Sequence, residues 1–320
     1  MAMNKGRVCV TGGCGFIGSH LVHRLVAEGW EVVVYDNLSV GNPAALPACR
    51  RISLIQGDVR DQARLRSAVA DCDLVYHFAA PTDVRAALKD PHQDVDQIIG
   101  GTHTLLEAMR LGGVRRVVCA SSSCVYGEGL PQPVSESSAP LLPSSVYGAA
   151  KLACEALISA YCRTFDFQAW LFRFPNVAGP GVTHGVIRDF VLRLKKDPSQ
   201  LLIYGDGNQT KTYLYVDDCI DGIITLVRRM PHSVNLANIT AAGATTVNRI
   251  AQLVVSALGL SGVQFRYTGG AGGWRGDVSH IVLDGSLAAS LGWRARHTSD
   301  EAVDLTIRWL VEKTSHTCLQ

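Results

Sequence analysis

Arg7-Val8-Cys9-Val10-Thr11-Gly12-Gly13-Cys14-Gly15-Phe16-Ile17-Gly18 is the stretch that decides the fold. Arg7 to Thr11 reads as a short buried strand. Ile17, Leu21, Val22, Leu25 and Val26 then recur at helical spacing. Between them stand Gly12, Gly15 and Gly18, three residues apart. The first suits a tight turn, the second close approach to a pyrophosphate, and the third close helix–strand packing. The helix start offers free N–H groups and a positive dipole end to phosphate. A glycine pattern alone says little, but with a strand before it and a helix after it the pattern is specific.

Working outward, Glu31 to Tyr35 is a second strand, ending at Asp36-Asn37. An acid there suits adenosine ribose hydroxyls and repels a 2′-phosphate, which favours NAD over NADP; the bland alternative is a surface-turn acid. Arg51 to Gln56 is a third strand, followed by Gly57-Asp58-Val59, whose acid is placed to reach an adenine amino group. Leu74 to Phe78 is a fourth, running into Ala79-Ala80-Pro81-Thr82, small residues that let a cofactor backbone pass close by. His77 reads as structural, since no metal partner lies near it. Asp94 to Leu111 is a long helix closed by Gly112-Gly113. Arg115 to Ala120 is a fifth strand opening into Ser121-Ser122-Ser123-Cys124. Open α/β sheets bind ligands at such a strand end, although a turn serine is the plainer reading.

Residues 128–144 form a loop and a helix follows at 146–165. It carries Tyr147 and Lys151, which at i and i+4 share a face. An ammonium there favours the phenolate and draws down a pKa that is ordinarily about 10, a plausible acid/base device. Gln168 to Phe174 is a sixth strand that enters a loop at Pro175-Asn176. Strict alternation then fades. Helices are expected at 186–196, 217–229, 245–258 and 301–313, and extended segments at 201–204, 211–216 and 233–237. The fold class is α/β: a doubly wound parallel sheet of the Rossmann type over 1–175, with a return segment near 217–237, and a smaller α/β substrate-binding lobe over 176–320.

The 320 residues suffice for one large or two modest domains. A net charge of +2 implies no broad attraction to nucleic acid or membrane. No run reaches the ~18 apolar residues of a membrane span, and no secretory signal is evident. Ten cysteines are scattered without CxxC or Cys/His spacing, so free thiols in a reducing cytoplasm are expected and no metal site.

Thr11 to Gly18, Tyr35-Asp36-Asn37, Gly57-Asp58, His77 to Ala80, Ser121 to Ser123, Tyr147 with Lys151, Arg173 to Asn176, and Gly205-Asp206-Gly207 through Tyr215 to Asp218 occur in the order of the extended short-chain dehydrogenases. The chain resembles the NAD-dependent epimerase/dehydratase branch of that family, and most closely its nucleotide-sugar 4-epimerases. The resemblance implies a tightly held NAD and a transient 4-keto sugar. Tyr147 would take the proton from the sugar C4 hydroxyl, and Ser122 would hydrogen-bond the same oxygen. Lys151 would hold the nicotinamide ribose and keep Tyr147 acidic. Gly12, Gly15, Phe16, Ile17, Gly18, Asp36, Asn37, Asp58, Val59, Phe78, Ala79, Ala80, Thr82, Ser121, Phe174 and Pro175 would line the cofactor. Cys124, Asn176, Val186, Leu202, Tyr204, Lys211, Arg275 and Asp277 would line the nucleotide-diphosphate sugar, a UDP-sugar first among candidates. Helices near 94–111 and 146–165 would pair two copies into a homodimer.

Four departures matter. Ile98-Ile99-Gly100-Gly101-Thr102 stands where relatives often carry an Asn-Val-x-Gly-Thr run. Lys211 replaces an arginine, which loses the bidentate fork. Trp274 and Arg275 displace another arginine. Cys124 stands where dehydratases and decarboxylases of the family carry a glutamate, so elimination lacks its second acid/base. A dehydratase, decarboxylase or reductase remains the alternative. A silent NAD-binding sensor is a third reading, opposed by the presence of Ser122, Tyr147 and Lys151 together.

Overall fold

The computed structural model describes residues 6–81, 88–270, 272–273 and 276–317. They divide into two compact units. The first comprises Met1–Val125, Val146–Arg173 and Ile223–Ala237, and the second Tyr126–Ser145, Phe174–Gly222 and Asn238–Gln320.

In the first unit, β1 (Arg7–Thr11), β2 (Glu31–Asp36), β3 (Ile52–Gln56) and β4 (Leu74–His77) alternate with α1 (Phe16–Ala27) and α2 (Gln62–Val69). A helical run follows: α3 (His92–Asp94), a π-helical turn (Val95–Gly100) and α4 (Gly101–Gly112). Then come β5 (Arg116–Ser122), α5 (Val146–Phe165) and β6 (Gln168–Phe174), and the sheet is completed by β11 (Val234–Asn238). The strand order is β11-β6-β5-β4-β1-β2-β3. β1 pairs parallel with β2 and with β4, so the order reverses on either side of β1. In an open α/β sheet the crevice at that reversal is where ligands bind. Val8, Cys9, Val10 and Thr11 are all inaccessible, as a central parallel strand requires. One core lies between the sheet and α2, α4 and α5 and includes Leu65, Leu105, Met109, Val117, Ile158 and Phe167.

The second unit holds β7 (Asn176–Ala178), α6 (Val186–Lys196), β8 (Gln200–Ile203), β9 (Thr210–Lys211), β10 (Tyr213–Tyr215) and the first half of α7 (Val216–Arg229). It continues with β12 (Thr245–Thr246), α8 (Val247–Ala257), β13 (Gln264–Tyr267), β14 (His280–Ile281), α9 (Ser286–Ser290) and α10 (Ser299–Thr317). α6, α8 and α10 close on a core of Ile187, Phe190, Leu194, Leu201, Ile250, Val254, Val303 and Ile307.

Three local expectations change. Asn176–Ala178 is a strand, because it finds a parallel partner in Tyr213–Tyr215. α2 and β13 form where the sequence suggested neither. The long helix starts at His92 and is loosened by the π-helical turn, which ends at the Gly100-Gly101 pair.

Candidate active site

Gly12 adopts φ +70°, and a Cβ there would lie 2.7 Å from the Ala79 nitrogen, so the turn packs directly on the end of β4. A Cβ on Gly18 would lie 2.1 Å from the Gly12 carbonyl oxygen, which permits no side chain. Gly15 differs: a Cβ would meet only the Gly12 carbonyl oxygen, at 3.2 Å, so its other side is open. Gly15 caps α1 without a side-chain bond, and the first turn holds no acid. Its N–H groups and dipole end therefore suit a pyrophosphate. At the end of β2, Asp36 is buried and accepts the Cys14 and Leu38 N–H groups, at 2.9 and 2.8 Å. Each carboxylate oxygen keeps a lone pair for ribose hydroxyls. Asp58 is gripped by Arg60 through both backbone and guanidinium, and that hydrogen bonding holds its carboxyl far below the usual range. Val59 is buried beside it; Asn37 is exposed, and Phe78, Ala79 and Ala80 are half-buried at the end of β4. These features fit NAD. Thr82 lies outside the described residues.

The candidate proton-handling residues stand on β5, Ser122, and on α5, Tyr147 and Lys151. Lys151 is buried, and its Nζ donates to the Ala120 carbonyl at 2.8 Å. The same ammonium lies 5.7 Å from the centroid of the Tyr147 ring. Burial pushes the Tyr147 phenol above its ordinary value; Lys151 pulls the other way but does not overcome it. Burial opposes charge on Lys151, yet the facing Tyr147, Cys119, Cys154 and Asp94 raise its pKa on balance, so it stays an ammonium. Ser122 is half-buried, and its Oγ accepts the Cys124 N–H at 3.2 Å. Its hydroxyl proton is thereby free to be donated outward. Cys124, also half-buried, lies on the short helical turn Ser123–Tyr126.

Beneath this site run polar links that the sequence reading did not single out. Thr102 Oγ1 donates to the Ile98 carbonyl at 2.6 Å and so accepts from His77 Nε2 at 3.0 Å. His77 Nδ1 then accepts from Thr11 Oγ1 at 2.8 Å. Cys154 Sγ donates to the same Ile98 carbonyl at 3.3 Å. Burial, with a contribution from Lys151, lowers the pKa of His77 to about 3. Ser121 donates its hydroxyl proton to Glu155, so its side chain can offer a cofactor only an acceptor oxygen. Asp94 is buried with Oδ2 unpartnered, and burial raises its pKa. Glu155 alone had a readable signal: an acid on the buried face of α5, in helical step with Lys151 and Tyr147.

The remaining candidates lie in the second unit. Phe174 and Pro175 are buried. Asn176 hydrogen-bonds the Tyr213 side chain. Lys211 and Asp277 form an ion pair at 2.5 Å. Leu202 and Tyr204 are 43% and 45% exposed, and Arg193 stacks on the Tyr204 ring while donating to the Leu202 carbonyl. Val186 opens α6. Arg275 lies outside the described residues. Among the described residues no cluster of three metal-ligating side chains occurs.

A glycine turn at the sheet's reversal, an acid ending β2, a serine ending β5, and a tyrosine and lysine on α5 that is tied to β5 through Ala120 define a dinucleotide-dependent enzyme of the extended short-chain dehydrogenase type. The chain belongs to the NAD dependent epimerase/dehydratase family, whose model matches residues 8–237. A UDP-glucose 4-epimerase of Streptomyces lividans is 36% identical over 248 residues, covering 72% of this chain and 74% of its own. A crystal structure of UDP-galactose 4-epimerase superposes with a TM-score of 0.87 at 38% identity, covering 96% of this chain and 99% of its own. The Thermus thermophilus UDP-glucose 4-epimerase complex with NAD matches with a TM-score of 0.85 at 30% identity, covering 95% and 99%.

Proposed function

We propose that this chain is an NAD-dependent nucleotide-sugar 4-epimerase acting on a UDP-sugar. The observation that carries the reading is the buried Lys151 ammonium, tied to the Ala120 carbonyl of β5 and 5.7 Å from the Tyr147 ring centroid, with β5 ending at Ser122 and its following turn, Ser123–Tyr126, holding Cys124 and no carboxylate. NAD, when bound, supplies the hydride acceptor and donor for the sugar C4 carbon. Tyr147 takes the proton from the C4 hydroxyl as phenolate and returns it after the 4-keto sugar has turned over. Ser122 donates to the same oxygen and steadies charge as it develops. Lys151, fixed by the Ala120 carbonyl, keeps two further N–H groups for the cofactor's ribose and holds positive charge beside the phenol. Lys211, held by Asp277, serves the nucleotide-diphosphate end, a reading supported by its positive charge and by the ion pair that fixes it.

The test is incubation with UDP-, GDP-, CDP- and ADP-sugars without added cofactor, with products resolved by NMR. An epimerase equilibrates C4 epimers at constant mass. A keto product lighter by one water would replace this reading with a dehydratase, the family's other chemistry. We also infer a homodimer through α4 and α5. The reading is supported by the small, exposed Ala149, Ala156 and Ala160 on α5 and by Leu111, 46% exposed on α4. A monomer in sedimentation equilibrium would overturn it. A cytoplasmic location is supported by the nine described cysteines, all free thiols.

A further inference from the structure

Ser121 stands between the two β5 residues that the site uses. Ala120, before it, gives its carbonyl to Lys151. Ser122, after it, carries the hydroxyl that faces substrate in the proposed function. Ser121 itself is 4% exposed, and its Oγ donates to Glu155 Oε1 at 2.5 Å. Glu155 lies one helical turn past Lys151 and two past Tyr147, on the same face of α5. Arg173, near the end of β6, grips Glu155 from the other side with bonds of 2.9 and 2.6 Å. The two side chains of this ion pair are only 2% and 8% exposed.

A buried ion pair is a poor source of stability, because desolvation offsets most of its attraction. Its distinctive property is geometry. A planar guanidinium fork fixes the carboxylate in position and angle. The carboxylate, accepting only, then fixes the Ser121 hydroxyl. Two successive β5 residues are thus tied to α5: Ala120 through Lys151, and Ser121 through Glu155. The next β5 residue is Ser122, and the helix so tied carries Tyr147.

We propose that Ser121, Glu155 and Arg173 form a positioning clamp that sets the spacing between the Ser122 hydroxyl and the Tyr147 phenol. The clamp rests on the reading of Ser122 and Tyr147 as the pair that acts on the sugar oxygen. It assigns Ser121 a role through Ser122 rather than through the cofactor. Rate depends steeply on such spacing, and a misplacement of about 1 Å costs up to ~100-fold.

The experiment is a double-mutant cycle on the holoenzyme with Ser121→Ala, Ser122→Ala and the pair, reading kcat, KM, retained NAD and thermal midpoint. Ser121→Ala removes one hydroxyl and keeps the ion pair. The clamp requires Ser121→Ala to lower kcat about tenfold, with KM, NAD content and midpoint near wild type. It also requires Ser121→Ala to cost no more than about twofold further in the Ser122→Ala background, because the two act as a unit. Independent, multiplying losses would overturn it, as would loss of NAD from Ser121→Ala, which would mark a cofactor contact instead. An unchanged kcat in Ser121→Ala beside a slow Ser122→Ala would overturn the clamp and spare the reading of Ser122. An unchanged kcat in Ser122→Ala would overturn both.

Discussion

Tyr147 is under two opposed influences. Burial lifts its phenol above the ordinary value, the Lys151 ammonium lowers it, and Cys124, Asp94 and Cys119 add small upward pushes. Lys151 thus acts in the direction that the four-residue spacing suggests, against the burial of the phenol. The oxidised nicotinamide carries a further positive charge, which acts in the same direction as Lys151. In the proposed mechanism turnover needs the phenolate, whose fraction rises with pH, so the rate should climb on the acid side of the profile. Lys151→Met should move that limb to higher pH, because one of the charges holding the phenol down is gone. Ultraviolet difference titration and the pH dependence of kcat/KM both read the midpoint; an unmoved midpoint would exclude the coupling. Tyr147→Phe should lower kcat by about 10²–10⁴, the usual contribution of a positioned acid/base, with NAD still retained. Full activity in that variant would refute its role.

At the scale of elements, Asp36 joins the cofactor turn to β2 by accepting the Cys14 and Leu38 N–H groups. Asp36→Ala removes those acceptors and the charge that repels a 2′-phosphate. The variant should bind NAD more weakly and narrow its preference over NADP, as calorimetric titration of each cofactor would show; an undiminished preference would place the discrimination elsewhere. This element was legible because its signals are local: a buried strand, three glycines and a helical repeat within a dozen residues. That Tyr147 and Lys151 share a helix face was legible in their spacing; the role proposed for them rested on the glycine turn, Asp36 and Ser122 around them. β7 was not legible, because three residues become a strand only when Tyr213–Tyr215 lies alongside. Glu155 showed as an acid in helical step with Lys151, but its pairing did not, because Ser121 is 34 residues away and only the fold brings them together. The π-helical turn over Val95–Gly100 was not legible either, because hydrophobic spacing does not distinguish it from α-helix. α2 did carry a local sign: Asp61 caps it by accepting the Arg64 N–H, ahead of Leu65, Ala68 and Val69 on one face.

For the whole molecule, His77 couples the interior of the first unit to the acidity of the solvent. It lies between the Thr11 and Thr102 hydroxyls, and burial, with Lys151 contributing, lowers its pKa from 6.5 to about 3. The folded chain therefore refuses a proton that the unfolded chain accepts below pH 6.5. Above that pH the contribution to stability is intact; as pH falls from 6.5 toward 3 it is lost. The loss is about 1.4 kcal/mol per pH unit, so roughly 2 kcal/mol between pH 6.5 and 5. That is a substantial part of a total stability of about 5–15 kcal/mol. His77→Gln keeps a donor and an acceptor but cannot take up a proton. It should be less stable than wild type at pH 7, since the fit to both threonines is imperfect, yet lose less between pH 7 and pH 5. Denaturant midpoints for the two proteins at both pH values measure this. Other groups titrate equally in the two, so the difference of differences isolates His77. An equal drop in both would mean that the buried imidazole does not set the acid limit of the fold.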